Sequence, residues 1–333
     1  MRHASRLLVV LALAALATAT ALPAGAKAPG PNGQIAFGRP DPTTGDPRIF
    51  IANPDGTHEH QLLLPVPGDG PVWSPDGGKL LAAVFRPEAS VRPATVNADG
   101  SGFTVLDVPQ LPQDMDMGCR AWSPDATRLL CQAIRFGGDP SLNGIYTIRA
   151  SDGGGLRRLT VNPYPPEGEF GGGDIPGDYS PDGSQFVFMR AKPGADPNAR
   201  HQRGALFVAH TNGTGLRQLT PYGLANSHDN GLAHWSPDGR EILFASAQGS
   251  LFTVRPDGAG LRAIPLETGG GFSFAFTPGW SPDGTRIVFS LFLRATGQVD
   301  IYTATADGRQ VALVTDTSDF EDLADWGPSP LAA

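Results

Sequence analysis

Short apolar runs alternate along the chain with clusters of Gly, Pro, Asp and Ser, and one stretch recurs in nearly the same letters. WSPDG begins at Trp73, Trp235 and Trp280. Aligning every version of this stretch gives six aromatic positions, spaced 45 to 57 residues apart, which include all five tryptophans of the chain: Trp73, Trp122, Tyr179, Trp235, Trp280 and Trp326. A period of that length built from strand-like segments predicts a propeller or array rather than a sandwich.

Each repeat contains four apolar segments, which predicts a four-stranded antiparallel blade. The first segment ends at the aromatic residue, and the second follows the Ser-Pro-Asp-Gly turn. In that turn Pro presets φ, Asp can bond its own backbone and Gly takes the left-handed conformation. We expect the large flat ring of each Trp to pack between neighbouring blades. The third segment carries an aliphatic–aromatic pair in five repeats: Ile49-Phe50, Ile145-Tyr146, Leu206-Phe207, Leu251-Phe252 and Ile301-Tyr302.

The two ends of the chain complement each other. Ala324-Asp325-Trp326 is a first segment with no second segment after it, whereas residues 32–37 form a second segment with no first segment before it. Pairing these two ends would complete one blade and remove the open edges of the array. The sequence therefore predicts an all-β, six-bladed propeller of four-stranded antiparallel blades, closed by its N- and C-terminal strands.

The repeated WSPDG stretch, followed by the Ile-Tyr or Leu-Phe pair, an Asp-Gly turn and Leu-Thr, resembles the WD40-like repeat of TolB-like propellers. The resemblance covers residues 32–330. TolB itself is periplasmic and carries a small α/β domain before its propeller, and we expect that domain to be absent here because the repeats start at Asn32. Prolyl oligopeptidase-like proteases also carry such a propeller, but no Gly-x-Ser-x-Gly nucleophile elbow occurs in this sequence, so we expect no such activity.

The N-terminus has the pattern of a secretory signal peptide. A short basic start (MRHASR) precedes an apolar run of about 16 residues, and Ala24-Gly25-Ala26 forms a small-x-small cleavage site. The run is short for a membrane span of roughly 20 residues. We expect cleavage after Ala26, which leaves residues 27–333 as an exported propeller, periplasmic or secreted, with no membrane span.

Composition supports this assignment. The 43 Gly and 32 Pro suit a chain rich in turns, and the 40% of hydrophobic residues argue against disorder. Removing residues 1–26 takes away Arg2 and Arg6 and no acid, so the mature chain has 23 Lys and Arg against 33 Asp and Glu. That negative balance disfavours nucleic acid as a partner. We expect a monomer.

One face of the ring should carry most of the charge. In a propeller, the loops from second to third strand and those leading into each first strand share one face. Acids fill the loops that lead into first strands, and Arg residues begin the loops that leave second strands. We expect an acidic mouth inside a basic collar that binds a protein, a peptide or an envelope polymer. The alternative is that these side chains only pair with each other. The candidate binding residues are Asp114, Asp116, Asp174, Asp178, His228, Asp229, Glu321, Asp322, Arg135 and Arg190.

A metal-dependent enzyme of the lyase or lactonase kind is the second hypothesis. His228 and Asp229 fall on the acidic face, His234 lies in the same repeat, and His201 belongs to the long loop 192–203, which is also a candidate partner contact. Without tight His spacing we expect neither a metal nor another cofactor. His58-Glu59-His60 falls in a turn on the opposite face, where we expect solvated side chains.

The chain has only two cysteines, Cys119 and Cys131. They fall in the first and second strands of one predicted hairpin, where they would face each other, and the same hairpin has Ala126 in place of the usual turn Gly. Export would allow the two thiols to oxidise. We predict a disulfide between them; the alternative is a pair of buried thiols.

Overall fold

The computed structural model describes residues 30–86, 90–135, 140–162, 173–192, 203–225, 232–268 and 273–329. These residues form six four-stranded antiparallel sheets arranged as the blades of one ring. The fold class predicted from the repeats is therefore confirmed. Outside the strands, one short 3₁₀ helix is described at Pro140–Leu142.

Blades 1 to 3 occupy the first half of the chain, and blade 1 also receives the last strand. Blade 1 contains β24 (Asp322–Pro328), β1 (Asn32–Pro40), β2 (Pro47–Ala52) and β3 (His60–Leu62). Blade 2 contains β4 (Gly68–Trp73), β5 (Lys79–Phe85), β6 (Val91–Asn97) and β7 (Thr104–Val105). Blade 3 contains β8 (Asp116–Trp122), β9 (Arg128–Ile134), β10 (Gly144–Arg149) and β11 (Arg157–Arg158).

Blades 4 to 6 repeat the same order. Blade 4 contains β12 (Asp174–Tyr179), β13 (Gln185–Lys192), β14 (Arg203–His210) and β15 (Arg217–Gln218). Blade 5 contains β16 (Ala233–Trp235), β17 (Ile242–Ala245), β18 (Leu251–Val254) and β19 (Arg262–Ile264). Blade 6 contains β20 (Ser273–Trp280), β21 (Arg286–Leu293), β22 (Gln298–Thr305) and β23 (Ala312–Leu313).

The ring closes through blade 1, where the two ends of the described chain pair. Strand β24 runs antiparallel to β1, and Ile35 lies opposite Trp326 in the register. The indole Nε1 of Trp326 donates to the carbonyl of Gly33 at 3.0 Å. Pairing of the N- and C-terminal strands leaves no open blade edge at the junction.

The aromatic residue of each repeat packs in the wedge between two blades, as the sequence predicted. All five tryptophans are buried. Trp122 Nε1 donates to the carbonyl of Val72 in the preceding blade at 3.1 Å, and Trp280 Nε1 donates to that of His234 at 3.2 Å. Each first strand contacts the first strands of both neighbours, so these six strands surround the axis.

The Ser-Pro-Asp-Gly turns owe their shape to hydrogen bonds within the turn. In blade 6, Asp283 Oδ1 accepts hydrogen bonds from the Ser281 hydroxyl at 2.6 Å and from the Thr285 amide at 3.0 Å. Gly284 takes a φ of 70°, a conformation that L-residues disfavour. In blade 3 the same position holds Ala126 with a φ of 56°. The turn geometry is thus kept even where the favoured residue is missing.

The propeller has two faces that differ in their connections. The hairpin face carries the Ser-Pro-Asp-Gly turns and the turns between third and fourth strands. The loop face carries the loops between second and third strands and the segments that lead into each first strand. The charged residues predicted as a binding site belong to the loop face.

Candidate functional site

Two of the candidate binding residues form a buried ion pair on the loop side of blade 4. Asp174 and Arg190 lie opposite each other in neighbouring strands, and the guanidinium Nε and Nη2 donate to the two carboxylate oxygens, each at 2.7 Å. The guanidinium lies over Phe188 and Phe207. Because both side chains are shielded from solvent, they do not present their charge to a partner.

Glu321 is also buried, at the junction where the ring closes. Its carboxylate accepts hydrogen bonds from Arg39 Nε at 2.6 Å and from the Thr317 hydroxyl at 2.8 Å, and the Thr315 hydroxyl also donates to it. Burial raises the pKa of Glu321, and the hydrogen bonds from Thr315 and the charge of Arg39 oppose that shift. Glu321 therefore ties the blade 6 connection to β1.

His58, Glu59 and His60 are all exposed, as expected, but Glu59 also forms an ion pair that the sequence did not indicate. Arg39 donates to both Glu59 oxygens, at 2.7 and 3.0 Å, and its guanidinium lies 4.3 Å from the centre of the Phe50 ring. Phe50 supports the Arg39 side chain as it lies along the blade, and this brings the guanidinium within reach of the turn. The sequence places Glu59 on the face opposite to the end of β1 where Arg39 lies, so it gave no sign that the two side chains would meet.

Three further candidates are more accessible. Asp114 is 65% exposed and pairs with Arg135 at 2.8 Å. Asp116 accepts a hydrogen bond from the Val91 amide at 2.9 Å, and Asp322 is half-buried at the start of β24. Such water-accessible acids can contact a partner at small desolvation cost.

The central axis holds a second type of polar position. Asp178 directly precedes Tyr179, and its carboxylate lies 3.8 Å from Nδ1 of His234 in the next blade. Asp325, which occupies the same position before Trp326, accepts a hydrogen bond from the Trp73 amide at 2.9 Å. These acids connect neighbouring first strands. His228, Asp229, His201 and residues 193–202 of the long loop lie outside the described residues.

The metal hypothesis depends on those residues outside the described ranges. Within the described ranges, no group of three or more His, Cys, Asp or Glu side chains is placed to hold a metal ion. Asp69 is a half-buried loop-face acid near the axis: burial raises its pKa, and the Gly70 amide and the charge of Arg120 oppose the shift.

The two cysteines face each other in the first and second strands of blade 3. Their sulfur atoms are joined at 1.93 Å, across 12 positions of sequence. Both residues are buried in the core that blade 3 shares with its neighbour. The link therefore clamps the hairpin whose turn contains Ala126.

An aromatic cluster on the loop face was not apparent from the sequence. Phe320 is 49% exposed and stacks on Phe276 at 5.9 Å between ring centres, and Phe276 lies 6.0 Å from Phe274. Phe320 belongs to the acidic strap, defined here as residues 316–322, which links blade 6 to β24. The alternation of Phe274 and Phe276 was visible in the sequence, but nothing in it indicated that Phe320 would join them.

Concave grooves on the hairpin face were likewise not apparent from the sequence. One groove, with a volume of about 450 Å³, lies between blades 5 and 6 and is lined by Trp280 and both neighbouring turns. A second groove, of about 370 Å³, lies between blades 3 and 4 and is lined by Tyr179, Arg128 and Arg157. Adjacent blades diverge between their tight turns, and this divergence leaves the two grooves.

Comparison with known proteins supports the fold. No family model matches the sequence, and no curated protein matches it. Among solved structures, TolB from Acinetobacter baumannii is 18% identical with a TM-score of 0.63, over 89% of this chain and 67% of that one. Putative TolB from Agrobacterium tumefaciens is 19% identical with a TM-score of 0.57, over 90% and 100%.

A third similar structure, the hydrazine synthase of Kuenenia stuttgartiensis, is 14% identical with a TM-score of 0.67, over 97% of this chain and 51% of that one. At these identities the likeness concerns the fold, because one fold serves proteins of different function. Within the described residues, no helix has the length and apolar character needed to cross a bilayer. In fold, this chain is a TolB-like six-bladed β-propeller.

Proposed function

We propose that this chain is an exported, non-enzymatic propeller that binds a polypeptide through its loop face. The observation that carries the proposal is the acidic strap, where an exposed aromatic ring lies among acidic residues along the chain. Phe320 is 49% exposed, Asp316 is exposed, and Asp319 and Asp322 are half-buried. An apolar anchor flanked by acids suits a basic segment that carries a large apolar side chain.

The surrounding loop face adds to this surface. Asp114, at 65% exposure, supplies a further carboxylate, and Phe85 and Leu142 add exposed apolar side chains. Asp174, Arg190 and Glu321, which the sequence analysis placed among the binding residues, support the scaffold from inside. The proposed contact residues are therefore the accessible acids, and the buried pairs keep the loops that carry them in place.

The experiment uses the full mature chain as bait in envelope extract, followed by purification of the captured partner and direct titration. Reversing charge at the strap with Asp316→Lys and Asp319→Lys should weaken the partner's affinity at least tenfold, and added salt should narrow the difference between wild type and variant. Phe320→Ser should also weaken binding, but the partner's affinity should depend on salt concentration as it does for the wild type. The matched control is Asp257→Lys, an exposed acid of a hairpin-face turn, which should leave binding unchanged.

The proposal is rejected if the strap variants bind the partner as the wild type does, whatever the effect of Asp257→Lys. Charge reversal at Glu321 is unsuitable as a test, since a buried lysine beside Arg39 would unfold the junction and weaken any binding indirectly. The metal-dependent alternative is tested separately by metal analysis of the purified chain. Stoichiometric manganese, calcium or zinc that is lost with His228→Ala would replace the binding proposal with the enzymatic one.

Export is part of the same proposal and rests on residues 1–26 and on the disulfide between Cys119 and Cys131. Mass spectrometry of the chain recovered outside the cytoplasm should find Lys27 as its first residue. A chain that keeps Met1 and stays with the cytoplasmic fraction would contradict export.

A further inference from the structure

The groove between blades 3 and 4 on the hairpin face contains an unusual pair of positive charges. Arg128 begins the second strand of blade 3 and Arg157 begins its fourth strand, and both line the groove of about 370 Å³. Arg128 donates to the Thr147 hydroxyl at 2.9 Å and to the Gly155 carbonyl at 2.8 Å. Arg157 donates to the Thr211 carbonyl in blade 4. Their partners are thus neutral oxygens.

In blade 5 the positions equivalent to Arg128 and Arg157 hold a glutamate and an arginine, which form an ion pair. There Glu241 precedes the second strand and Arg262 begins the fourth, opposite Thr253, just as Arg157 lies opposite Thr147. The Arg262 guanidinium binds both Glu241 oxygens, at 2.9 and 3.0 Å. In blade 3 the position of that carboxylate is taken by a second guanidinium, so the fourth-strand arginine has lost its anion.

The acids near this groove do not replace the missing carboxylate. Asp125 accepts hydrogen bonds from the Ser123 and Thr127 hydroxyls, and Asp182 accepts them from the Ser180 and Ser184 hydroxyls. Among the residues that the structure describes, neither Arg128 nor Arg157 forms an ion pair with an acid. Asp125 and Asp182 line the same groove, but their hydrogen bonds to hydroxyls leave both guanidinium groups with neutral partners, and two such groups in one concave site favour an added anion.

We propose that the groove between blades 3 and 4 binds the carboxylate of a small organic monoacid, with Arg128 and Arg157 as the groups that hold it. A carboxylate is the anion that the corresponding arginine of blade 5 binds. Asp125 and Asp182 are exposed at the rim, and their charge disfavours a dianion such as phosphate relative to a monoanion. Pro124 and the edge of Tyr179 supply an apolar wall for the body of the acid, and the volume suits a compact ligand.

The site lies on the face opposite the acidic strap, so its test is independent of the binding function proposed above. The probes are benzoate, acetate and inorganic phosphate, titrated into the full mature chain and followed by ligand-observed NMR. Benzoate should bind saturably and more tightly than acetate, because its ring contacts the apolar wall, and phosphate should compete less well than acetate.

Two variants and one matched control test the assignment of residues. Arg157→Gln should weaken benzoate binding at least tenfold, the expected loss for a charge-assisted hydrogen bond. Arg128→Glu should abolish it by rebuilding in blade 3 the Glu–Arg pair of blade 5, with a thermal midpoint near that of the wild type. Arg262→Gln, the same change in blade 5, should leave it unaltered. If Arg128→Glu fails to fold, the exposed Arg157→Gln decides.

The proposal is overturned if neither carboxylate binds the wild type saturably, or if Arg157→Gln binds benzoate as the wild type does. Displacement of benzoate by phosphate at a lower concentration than by acetate would overturn the choice of a carboxylate.

Discussion

Replacing Asp174 by Ala tests whether the buried charges of the loop face are structural. The change leaves the Arg190 guanidinium shielded from solvent on Phe188 and Phe207, with the Val161 carbonyl at 3.3 Å as a remaining weak partner. Removing one member of a buried pair typically costs 3–5 kcal/mol, mostly because the other charge stays behind without compensation. We therefore expect Asp174→Ala to lower the free energy of unfolding by about 3–5 kcal/mol.

The control is Asp114→Ala, which breaks an ion pair of similar length on the same face. Asp114 is 65% exposed, so water replaces the lost contact and the cost should be about 1 kcal/mol or less. Urea unfolding followed by tryptophan fluorescence measures both variants, since the indoles lie between blades and report their separation. Equal m-values would show that the same surface is exposed on unfolding.

A double variant distinguishes the loss of the attraction between Asp174 and Arg190 from the cost of leaving the Arg190 charge buried. Replacing both partners, with Asp174→Leu and Arg190→Met, should recover most of the stability that Asp174→Ala loses, because no buried charge remains. The reasoning is refuted if Asp174→Ala costs no more than Asp114→Ala, or if the double variant is as unstable as the single one.

Ala126→Gly should raise the free energy of unfolding by about 0.5–1 kcal/mol in thermal or urea unfolding, because relief of the left-handed φ outweighs the added backbone entropy of glycine; a lower stability would contradict this account. The unreduced, denatured chain should show no free thiol, and reducing Cys119–Cys131 should cost about 3 kcal/mol, whereas two titratable thiols reject the disulfide. Burial raises the pKa of Glu321 above its usual 4.5, so its contribution to stability is present below pH 4.5 and is lost as pH rises through the raised pKa. Glu321→Gln should remove that decline from the pH profile of the thermal midpoint, and an unchanged profile counts against it.

The fold followed from the sequence because its determinants are local and repeated. An aromatic residue before a Ser-Pro-Asp-Gly turn specifies one hairpin, and six copies at a steady period specify six blades. The pairing of β24 with β1 was also predictable, since a lone first segment and a lone second segment can satisfy their backbone only with each other.

The candidate site followed only in part. The alternative that loop-face Asp and Arg side chains pair with each other applies to Asp174 with Arg190 and to Asp114 with Arg135, although the sequence did not indicate which residues would pair. It did not show which pair is buried, since burial depends on the aromatic rings that cover Arg190. For the same reason the reach of Arg39 across Phe50 to Glu59 was missed.

The sequence by itself determined the number of blades, their strand order and the way the ring closes, because hydrogen bonding and turn geometry act between residues close in the repeat. The tertiary structure alone decided which charges are buried, that Phe320 stacks on Phe276, and that Arg128 and Arg157 share a groove. These features depend on distances between blades and loops, which arise from the packing of many side chains at once. A repeat pattern fixes what each blade contains, whereas solvent exposure and charge balance depend on what its neighbours place beside it.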